Sequence, residues 1–436
     1  MLYLRWFKQR LVYMRRIFIT FFERLIYQKQ SHFLLHKVNA HRCPYQAILF
    51  YNLFGRTIFM FKEFLALISN NLILKKSIVI DGFEELDYEK LYKQGNHSIL
   101  YPKSPMVNVA EVQIEDEFYE KIASSFLLAY THDKESKDIS TEWDRISNEF
   151  REIFFDENNR LIKENLENFR GNPAIYGKIF NNQYPYINPK ESYSKSYLEA
   201  IDLVLEYHRF AEKIDKEVLA SVSESTAGNY LSINYRGKKL SEQLLQNMVV
   251  ANDIVQHVPF SEEKRNVVLD IGVGFGGSTR ILSYYTNNTT QILLDLPETL
   301  FLTAYYLKYN FPHKKIALLE DIYPYLDNLD SIINEYDFII IPPFVLDHIK
   351  AKSINLVINA SSLAFMSEEY LKYYLKETKR VLKDGGYFYS LNTSEDSEWG
   401  TGSFNWDYQE EYLTVMYNYD NRFSYPQWLG KKIETA

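Results

Sequence analysis

Between residues 266 and 391 the hydrophobic pattern alternates between short, wholly apolar runs and longer segments with one apolar face. A short apolar run predicts a strand buried on both sides, and the longer segments predict helices. Such alternation is typical of a parallel sheet covered by helices, so we predict an α/β domain over residues 266–396. The predicted strands are 267–271, 291–296, 316–319, 338–341, 355–359 and 387–391, and the predicted helices are 278–285, 297–309 and 367–383.

The stretch before this domain, residues 76–265, has a different pattern. Its apolar residues recur every three or four positions in several segments, which predicts amphipathic helices. We therefore predict a mostly helical region ahead of the α/β domain, and a C-terminal extension at 397–436 that completes the sheet. The predicted helical segments are 115–170, 194–219 and 241–257.

Residues 1–75 alternate basic and large apolar residues, and the spacing of the apolar residues predicts a basic amphipathic helix. Residues 1–62 contain eleven Lys or Arg and one acid, Glu23, so this part carries a net charge of +10. The whole chain carries −8, which leaves −18 for the remainder. Two interpretations stay open: the helix lies on an anionic membrane surface, or its apolar face packs on the rest of the protein.

Composition and charge argue against several classes of protein. The acidic body argues against nucleic acid as a partner. No stretch of about 18 uncharged apolar residues is present, so we predict no transmembrane helix. The single cysteine, Cys43, excludes an intramolecular disulfide framework and fits a reducing compartment. We therefore expect a cytoplasmic protein, with peripheral contact at the inner face of the cell membrane through residues 1–62 as the open alternative.

The segment 267–278 has the pattern of a nucleotide site. An apolar strand ends at an acid, and four glycines then fall within six residues before the next helix begins. Glycines let backbone N–H groups approach a ligand, and the following helix turns its positive end toward that ligand. Three of the glycines also satisfy the dinucleotide pattern G-x-G-x-x-G, so this Rossmann-like loop does not identify the nucleotide. The residues are Asp270, Gly272, Gly274, Gly276 and Gly277.

Two acids flank this loop. The first discriminates between the candidate nucleotides, whereas the role of the second is shared by NAD and S-adenosylmethionine sites. Asp270 lies two residues before the first glycine, where its charge would repel a pyrophosphate but attract the ammonium of a methionine moiety. Asp295 lies at the end of the next predicted strand, where its two oxygens can accept both ribose hydroxyls of an adenosine. The position of Asp270 therefore favours S-adenosyl-L-methionine over NAD. A loop cap for Asp270, and a helix N-cap before Pro297 for Asp295, are the alternatives.

Three motifs in this order resemble those of class I S-adenosylmethionine-dependent methyltransferases. Residues 268–276 look like motif I, 355–360 resemble the fourth strand, and 379–386 resemble the turn before the fifth strand. More narrowly, residues 115–436 resemble the sugar O-methyltransferases encoded among bacterial surface-polysaccharide genes. The supporting segments are 168–173, 225–229, 293–298, 341–344, 359–366 and 386–392.

The resemblance implies transfer of a methyl group from S-adenosyl-L-methionine to a sugar hydroxyl of a bacterial surface polysaccharide or its precursor. It also implies that the helical region, residues 76–265, binds or caps the sugar acceptor. A sugar hydroxyl needs a base as its proton leaves, and the candidates are His348, Asp347 and Glu368. The candidate cofactor-binding residues are Asp270, Gly272, Gly274, Gly276, Asp295, Leu296 and Asn359.

Two other functions stay open. One is a catalytically inactive methyltransferase fold that serves as a scaffold in a membrane-associated glycan assembly complex, anchored by its basic N-terminal segment. The other, which Asp270 fits poorly, is an NAD-dependent oxidoreductase. No spacing of cysteine and histidine indicates zinc, and the spacing of the acids does not require magnesium, so we assign no metal.

Overall fold

The computed structural model describes residues 112–133, 150–171, 222–230, 233–235, 238–392, 411–420 and 425–433, together with Ile175, Tyr207 and Ile214. The predicted N-terminal helix, most of the predicted helix at 194–219 and the membrane contact through residues 1–62 lie outside these residues. They stay predictions, and so do the boundaries of the segments predicted at 1–75, 76–265, 266–396 and 397–436. No helix in the part of the chain that the structure describes is long and apolar enough to cross a bilayer.

An eight-stranded sheet is the centre of the described structure, and its order is β5-β6-β4-β3-β7-β8-β10-β9. The neighbours from β5 to β8 pair in parallel, whereas β10 is antiparallel to both β8 and β9. This arrangement confirms the predicted α/β, Rossmann-like fold. The strands are β3 (Asn266–Ile271), β4 (Thr289–Leu294), β5 (Ile316–Ala317), β6 (Phe338–Ile341), β7 (Ile354–Ala360), β8 (Leu382–Leu391), β9 (Tyr412–Asp420) and β10 (Tyr425–Lys432), and a separate antiparallel hairpin contains β1 (Ile233–Tyr235) and β2 (Lys238–Leu240).

Helices cover both faces of this sheet. Val268 packs in a core with residues of α3 and α4, whereas the next residue, Leu269, packs in a core that includes residues of α8. Because successive side chains of a strand point to opposite faces, these helices lie on opposite sides of β3. The helices are α1 (Asp116–Asp133), α2 (Lys163–Glu167), α3 (Glu242–His257), α4 (Gly277–Tyr285), α5 (Pro297–Asn310), α6 (Leu319–Ile322), α7 (Asp330–Ile333) and α8 (Glu368–Val381), with a short helical stretch at 150–154.

The strand predicted at 316–319 is too long. It ends at Ala317, and the next residues form the short helix α6. The carboxylate of Asp321 accepts a hydrogen bond from the N–H of Leu318 at 2.8 Å, so a local side chain caps the helix. Such local capping competes with strand pairing and is not visible in the apolar run itself.

The helix predicted at 367–383 also ends early, at Val381, and β8 begins at once with Leu382. Two parallel pairs, Ile354 with Leu382 and Leu356 with Tyr387, are separated by one residue in β7 but by four residues in β8. The glycine pair at 385–386 therefore lies in an irregular part of this strand and does not end the helix as predicted. Gly385 has φ 72°, a left-handed conformation that favours glycine.

Candidate functional site

The strand β3 lies where the strand order of the sheet reverses. Its neighbours are β4 on one side and β7 on the other, and the later strands extend outward from each. In open α/β sheets, ligands bind at the carboxyl ends of the strands beside such a reversal. The glycine loop, residues 272–276, leaves the carboxyl end of β3 and leads into α4. The fold therefore places the predicted nucleotide loop at the expected binding position.

Three glycines of this loop have left-handed backbone conformations, with φ 76° at Gly272, 60° at Gly274 and 93° at Gly276. A Cβ at Gly272 would lie 2.1 Å from Oγ of Ser362, whereas a Cβ at Gly274 would meet no atom within 4 Å. Packing therefore requires glycine at 272. At 274, by contrast, the backbone faces open space from which a ligand can approach.

The glycine loop is fastened to its surroundings by side chains from two helices. Thr303 of α5 donates a hydrogen bond to the carbonyl of Gly274 at 2.5 Å. Ser278, in the first turn of α4, donates to Oδ1 of Asn247 of α3 at 2.9 Å. Sequence reasoning did not identify Thr303 or Asn247, because the pattern of a helix does not show which of its polar side chains contacts a distant loop.

Asp270 is the last residue but one of β3, two residues before Gly272, and is buried. One of its oxygens accepts a hydrogen bond from the hydroxyl of Thr279 at 3.4 Å, which is long for such a bond. Burial and, to a lesser extent, the charge of Asp295 raise the pKa of Asp270 to about 7. A carboxylate in this position is stabilised by a cation.

Asp295 follows β4 and is partly exposed. Its Oδ2 accepts from the N–H of Gly274 at 2.7 Å, and its Oδ1 accepts from the N–H of Leu296 at 2.7 Å. Burial raises the pKa of Asp295 to about 6, while hydrogen bonds from Gly274, Leu296 and Thr299 act in the opposite direction. The side chain therefore joins the glycine loop to the start of α5.

Asn359 near the end of β7 is fully buried beside the loop. Its Nδ2 donates to the carbonyl of Ile271 at 2.7 Å, and its Oδ1 accepts from Nδ2 of Asn392 at 2.9 Å and from the N–H of Leu363 at 3.2 Å. Ser362 also donates to the carbonyl of Ile271, at 3.1 Å. The amide of Asn359 thus fastens the end of β3 to the turn after β7.

The structure does not bring the candidate bases Asp347 and His348 to the loop, since both are exposed on the segment between β6 and β7. The carbonyls of Leu346 and Ile349, on either side of them, both accept hydrogen bonds from Arg380. Arg380 lies in the last turn of α8, which leads into the amino end of β8. The pair is therefore held toward the amino ends of the strands, away from Asp270.

Glu368, the third candidate base, is exposed in the first turn of α8 and forms an ion pair with Lys372. The hydrogen bond and the charge of Lys372 lower the pKa of Glu368, whereas a base that works near neutral pH needs a raised one. Across the described ranges, no three His, Cys, Asp or Glu side chains lie close enough together to hold a metal ion.

Comparison with known proteins finds no matching family model and no matching curated protein. Among solved structures, the chain is similar over 44% of its length to geranyl diphosphate methyltransferase in complex with GPP and sinefungin, covering 81% of that chain at 11% identity and a TM-score of 0.30. It is also similar over 57% of its length to 1,6-didemethyltoxoflavin-N1-methyltransferase of Burkholderia thailandensis, covering 94% of that chain at 12% identity and a TM-score of 0.28. A SAM-dependent methyltransferase from Aquifex aeolicus matches 42% of this chain and 89% of its own at 13% identity, with a TM-score of 0.27. Similarity at this distance identifies neither an activity nor a substrate for this chain.

Proposed function

We propose that this chain is an S-adenosyl-L-methionine-dependent O-methyltransferase that acts on a sugar hydroxyl of a bacterial surface polysaccharide or its precursor. The observation that carries the cofactor assignment is the pair of acids, Asp270 and Asp295, on either side of the glycine loop. Asp270 lies near the end of β3 and Asp295 directly follows the neighbouring parallel strand β4, and burial raises the pKa of both. A ligand that brings positive charge into this site is bound favourably, because it offsets the cost of ionising two nearby carboxylates, one of them buried and the other partly exposed.

The same acids argue against a dinucleotide. A pyrophosphate above this loop would add negative charge next to Asp270, whose ionised form is already opposed by burial and by Asp295. The ammonium of an amino-acid moiety has the opposite effect. S-adenosyl-L-methionine combines such an ammonium with a ribose, so its two ends match the two acids.

Four residues in and around the loop then have roles in binding. Asp270 attracts the ammonium, and the open side of Gly274 lets the backbone lie against the ligand. Asp295 accepts the ribose hydroxyls with the acceptor capacity that its two backbone hydrogen bonds leave, since each carboxylate oxygen has two acceptor sites. Leu296 presents its apolar side chain beside the same nucleoside. When bound, S-adenosyl-L-methionine supplies an electrophilic methyl group on a sulfonium.

The acceptor assignment is supported by the sequence segments that resemble sugar O-methyltransferases. Two of them, 359–366 and 386–392, end β7 and β8 on the same edge of the sheet as the glycine loop. Ser361 at this edge has φ 61°, an uncommon conformation for a residue other than glycine and one that is concentrated at functional sites. His348 and Asp347 lie apart from the loop, and Glu368 is paired with Lys372. We therefore assign proton removal to none of them.

The cofactor assignment is tested by titrating the full chain with S-adenosyl-L-methionine in a calorimeter. We expect Asp270→Asn and Asp295→Asn each to weaken binding by about tenfold to a hundredfold, because each removes a charge-assisted contact. Asp337→Asn is the matched control, since Asp337 lies at the amino end of β6 and pairs with Arg265 and Lys314 instead. Binding that survives the double substitution at 270 and 295 contradicts the assigned site.

The activity is tested by following S-adenosylhomocysteine formation with glycan fractions from a bacterial cell envelope as acceptors. We expect turnover with a fraction that carries free sugar hydroxyls. Binding of S-adenosyl-L-methionine without turnover on any fraction would instead support the inactive scaffold. Nicotinamide fluorescence on addition of NADH would support the oxidoreductase.

A further inference from the structure

Arg170 is a fully buried arginine outside the glycine loop, on the segment after α2. Its Nη2 donates to Oε1 of Glu224 at 3.1 Å and to Oε1 of Gln243 at 3.3 Å. The backbone N–H groups of Arg170 and Gly171 both donate to the carbonyl of Gly228, at 2.9 and 2.8 Å. An ion pair and paired backbone bonds therefore join the 168–171 segment to the loop at 224–229.

The partner Glu224 is also buried, and several groups hold its carboxylate. Its Oε2 accepts from the hydroxyl of Ser241, and its Oε1 accepts from the N–H of Ser225 at 2.7 Å. Burial alone would raise the pKa of Glu224, but the charges of Arg170 and Arg280, together with these hydrogen bonds, lower it. Glu224 is therefore held as a carboxylate and, together with Gln243, holds Nη2 of Arg170.

The Arg170 guanidinium lies close to two aromatic rings, one of which belongs to the glycine loop. The guanidinium carbon of Arg170 lies 4.7 Å from the ring centroid of Phe275 and 3.9 Å from that of Tyr230, within the range of cation–π contacts. The ring of Tyr306 meets Phe275 edge-on at a centroid distance of 4.9 Å. Phe275 lies between two glycines with left-handed backbones, Gly274 and Gly276. Phe275 has the largest side chain of this glycine-rich loop, and that side chain packs in the core.

We propose that Arg170, held by Glu224, is a positioning residue that fixes Phe275 and thereby keeps the glycine loop in its ligand-binding conformation. The inference rests on the proposed function of the loop as the S-adenosyl-L-methionine site. The physical reason is that a loop rich in glycine loses much conformational entropy when it is ordered. A planar guanidinium held against the rings of Tyr230 and Phe275 supports that order, whereas a lysine ammonium lacks the plane that can stack on a ring.

The test compares two substitutions that leave Glu224 with a positive partner. Arg170→Lys keeps the charge next to Glu224 and removes the stacking plane. Phe275→Leu keeps the ion pair and removes the ring. Phe154→Leu is the control, because Phe154 is a fully buried ring of the same aromatic core that packs on Phe301 and not on the loop. Far-ultraviolet circular dichroism and thermal melting establish that each variant is folded.

The first measurement needs no ligand: hydrogen exchange, by mass spectrometry, of a peptide spanning residues 272–277. We expect faster exchange of this peptide in Arg170→Lys and in Phe275→Leu, and wild-type exchange in Phe154→Leu. Unchanged exchange in a folded Arg170→Lys variant overturns the proposal. Because no ligand is present, this result is independent of whether the chain binds S-adenosyl-L-methionine.

The second measurement is the Kd for S-adenosylhomocysteine. We expect Arg170→Lys and Phe275→Leu each to raise this Kd by about tenfold. The Kd of the double variant should resemble that of the single variant that binds less tightly, because both substitutions act through one contact. Losses that multiply in the double variant, or a wild-type Kd in Arg170→Lys, overturn the positioning role. If the wild-type protein does not bind the probe, the cofactor assignment fails and the exchange measurement alone decides the role of Arg170.

Discussion

The amide nitrogen of Gly274 lies 2.7 Å from Oδ2 of Asp295, so the loop after β3 and the acid after β4 are held as one unit. The other oxygen of Asp295 accepts from the N–H of Leu296 at 2.7 Å, which places the start of α5 in the same unit. Loop geometry and the proposed ribose contact therefore depend on one side chain. A substitution at Asp295 therefore alters the conformation of the loop, and a shift of Gly274 alters the position of the Asp295 carboxylate.

Two neighbouring glycines of the loop are expected to respond differently to alanine. At Gly274 the new methyl group enters open space, so Gly274→Ala costs about 1–2 kcal/mol of stability from its left-handed backbone. At Gly272 the same backbone strain is joined by a clash with Ser362, so Gly272→Ala destabilises more. Urea unfolding without ligand measures the difference.

For ligand binding, in contrast to stability, we expect the larger effect from Gly274→Ala. The methyl group of Gly274→Ala occupies the side from which the ligand approaches, so we expect its Kd for S-adenosylhomocysteine to rise by at least about tenfold. Calorimetric titration of the folded variant gives this value. A Gly274→Ala variant that binds like the wild type would show that the open side of Gly274 is not the ligand side.

The raised pKa of Asp270 predicts how the stability of the ligand-free protein depends on pH. Its value of about 7, against about 3.9 in an unfolded chain, means that the folded state binds more protons between these two pH values. Stability therefore falls as the pH rises through this window and stays reduced above pH 7. Asp270→Asn removes the cost of ionisation, so it should be more stable than the wild type at pH 8 by on the order of 2–4 kcal/mol.

Thermal melting at several pH values checks this prediction, with Asp337→Asn as a control at the other end of the sheet. We expect the Asp270→Asn and wild-type curves to converge below pH 4, where the Asp270 carboxyl becomes protonated in both the folded and the unfolded state. A wild-type protein that is more stable than Asp270→Asn at pH 8, in the absence of ligand, would mean that Asp270 is stabilised as a carboxylate within the protein.

The central sheet was predictable because its signal is local. Buried parallel strands such as β3, β6 and β7 are continuous apolar runs, and each is bounded by residues that end it. The short helix α6 and the irregular start of β8 were not predictable in the same way. Their conformation depends on a side-chain cap at Leu318 and on pairing with β7, neither of which affects the hydrophobic period.

The residues on the cofactor side of the candidate site could be located in the sequence for a similar reason, and their roles in binding stay a prediction. Asp270 and the glycines occupy consecutive positions, and Asp295 ends the neighbouring strand, so one stretch of sequence nearly contains the site. The role of Arg170 was not visible, since its partner Glu224 is 54 residues away and nothing in either segment indicates burial. His348 and Asp347 lie apart from the glycine loop because the chain between β6 and β7 returns toward the amino ends of the strands before β7 begins, and their role as bases stays an untested prediction.

Affinity for the cofactor is expected to rise with pH. The ammonium of S-adenosylhomocysteine binds the ionised form of Asp270, and burial holds much of this carboxyl protonated below its pKa of about 7. Binding therefore releases a proton from Asp270 at low pH, and affinity falls by at most about tenfold per pH unit below that value. Calorimetry from pH 5.5 to pH 8, in buffers of different ionisation enthalpy, measures both the Kd and the protons released. A pH-independent Kd would contradict a direct contact between Asp270 and the ammonium.

Asn359 is expected to act on stability before it acts on binding. Asn359→Ala leaves the buried carbonyl of Ile271 and the N–H of Leu363 without this partner, which costs about 2–4 kcal/mol. Urea unfolding compares it with Asn418→Ala, which removes one hydrogen bond on an edge strand. Unchanged stability together with weaker binding of S-adenosylhomocysteine would instead identify Asn359 as a direct ligand contact.

Replacing the candidate bases tests whether proton removal occurs where the structure places them. His348 is exposed on a segment that Arg380 holds toward the amino ends of the strands, and Glu368 is paired with Lys372 on the surface. We therefore expect His348→Asn and Glu368→Gln to keep turnover within about twofold of the wild type, since general-base removal costs about a hundredfold or more. The assay is S-adenosylhomocysteine formation on an active glycan fraction, with Asp270→Asn as the variant that loses activity. A loss of kcat by a hundredfold in His348→Asn, with unchanged cofactor affinity, would return His348 to the catalytic role and require that its segment moves to the carboxyl edge of the sheet during turnover.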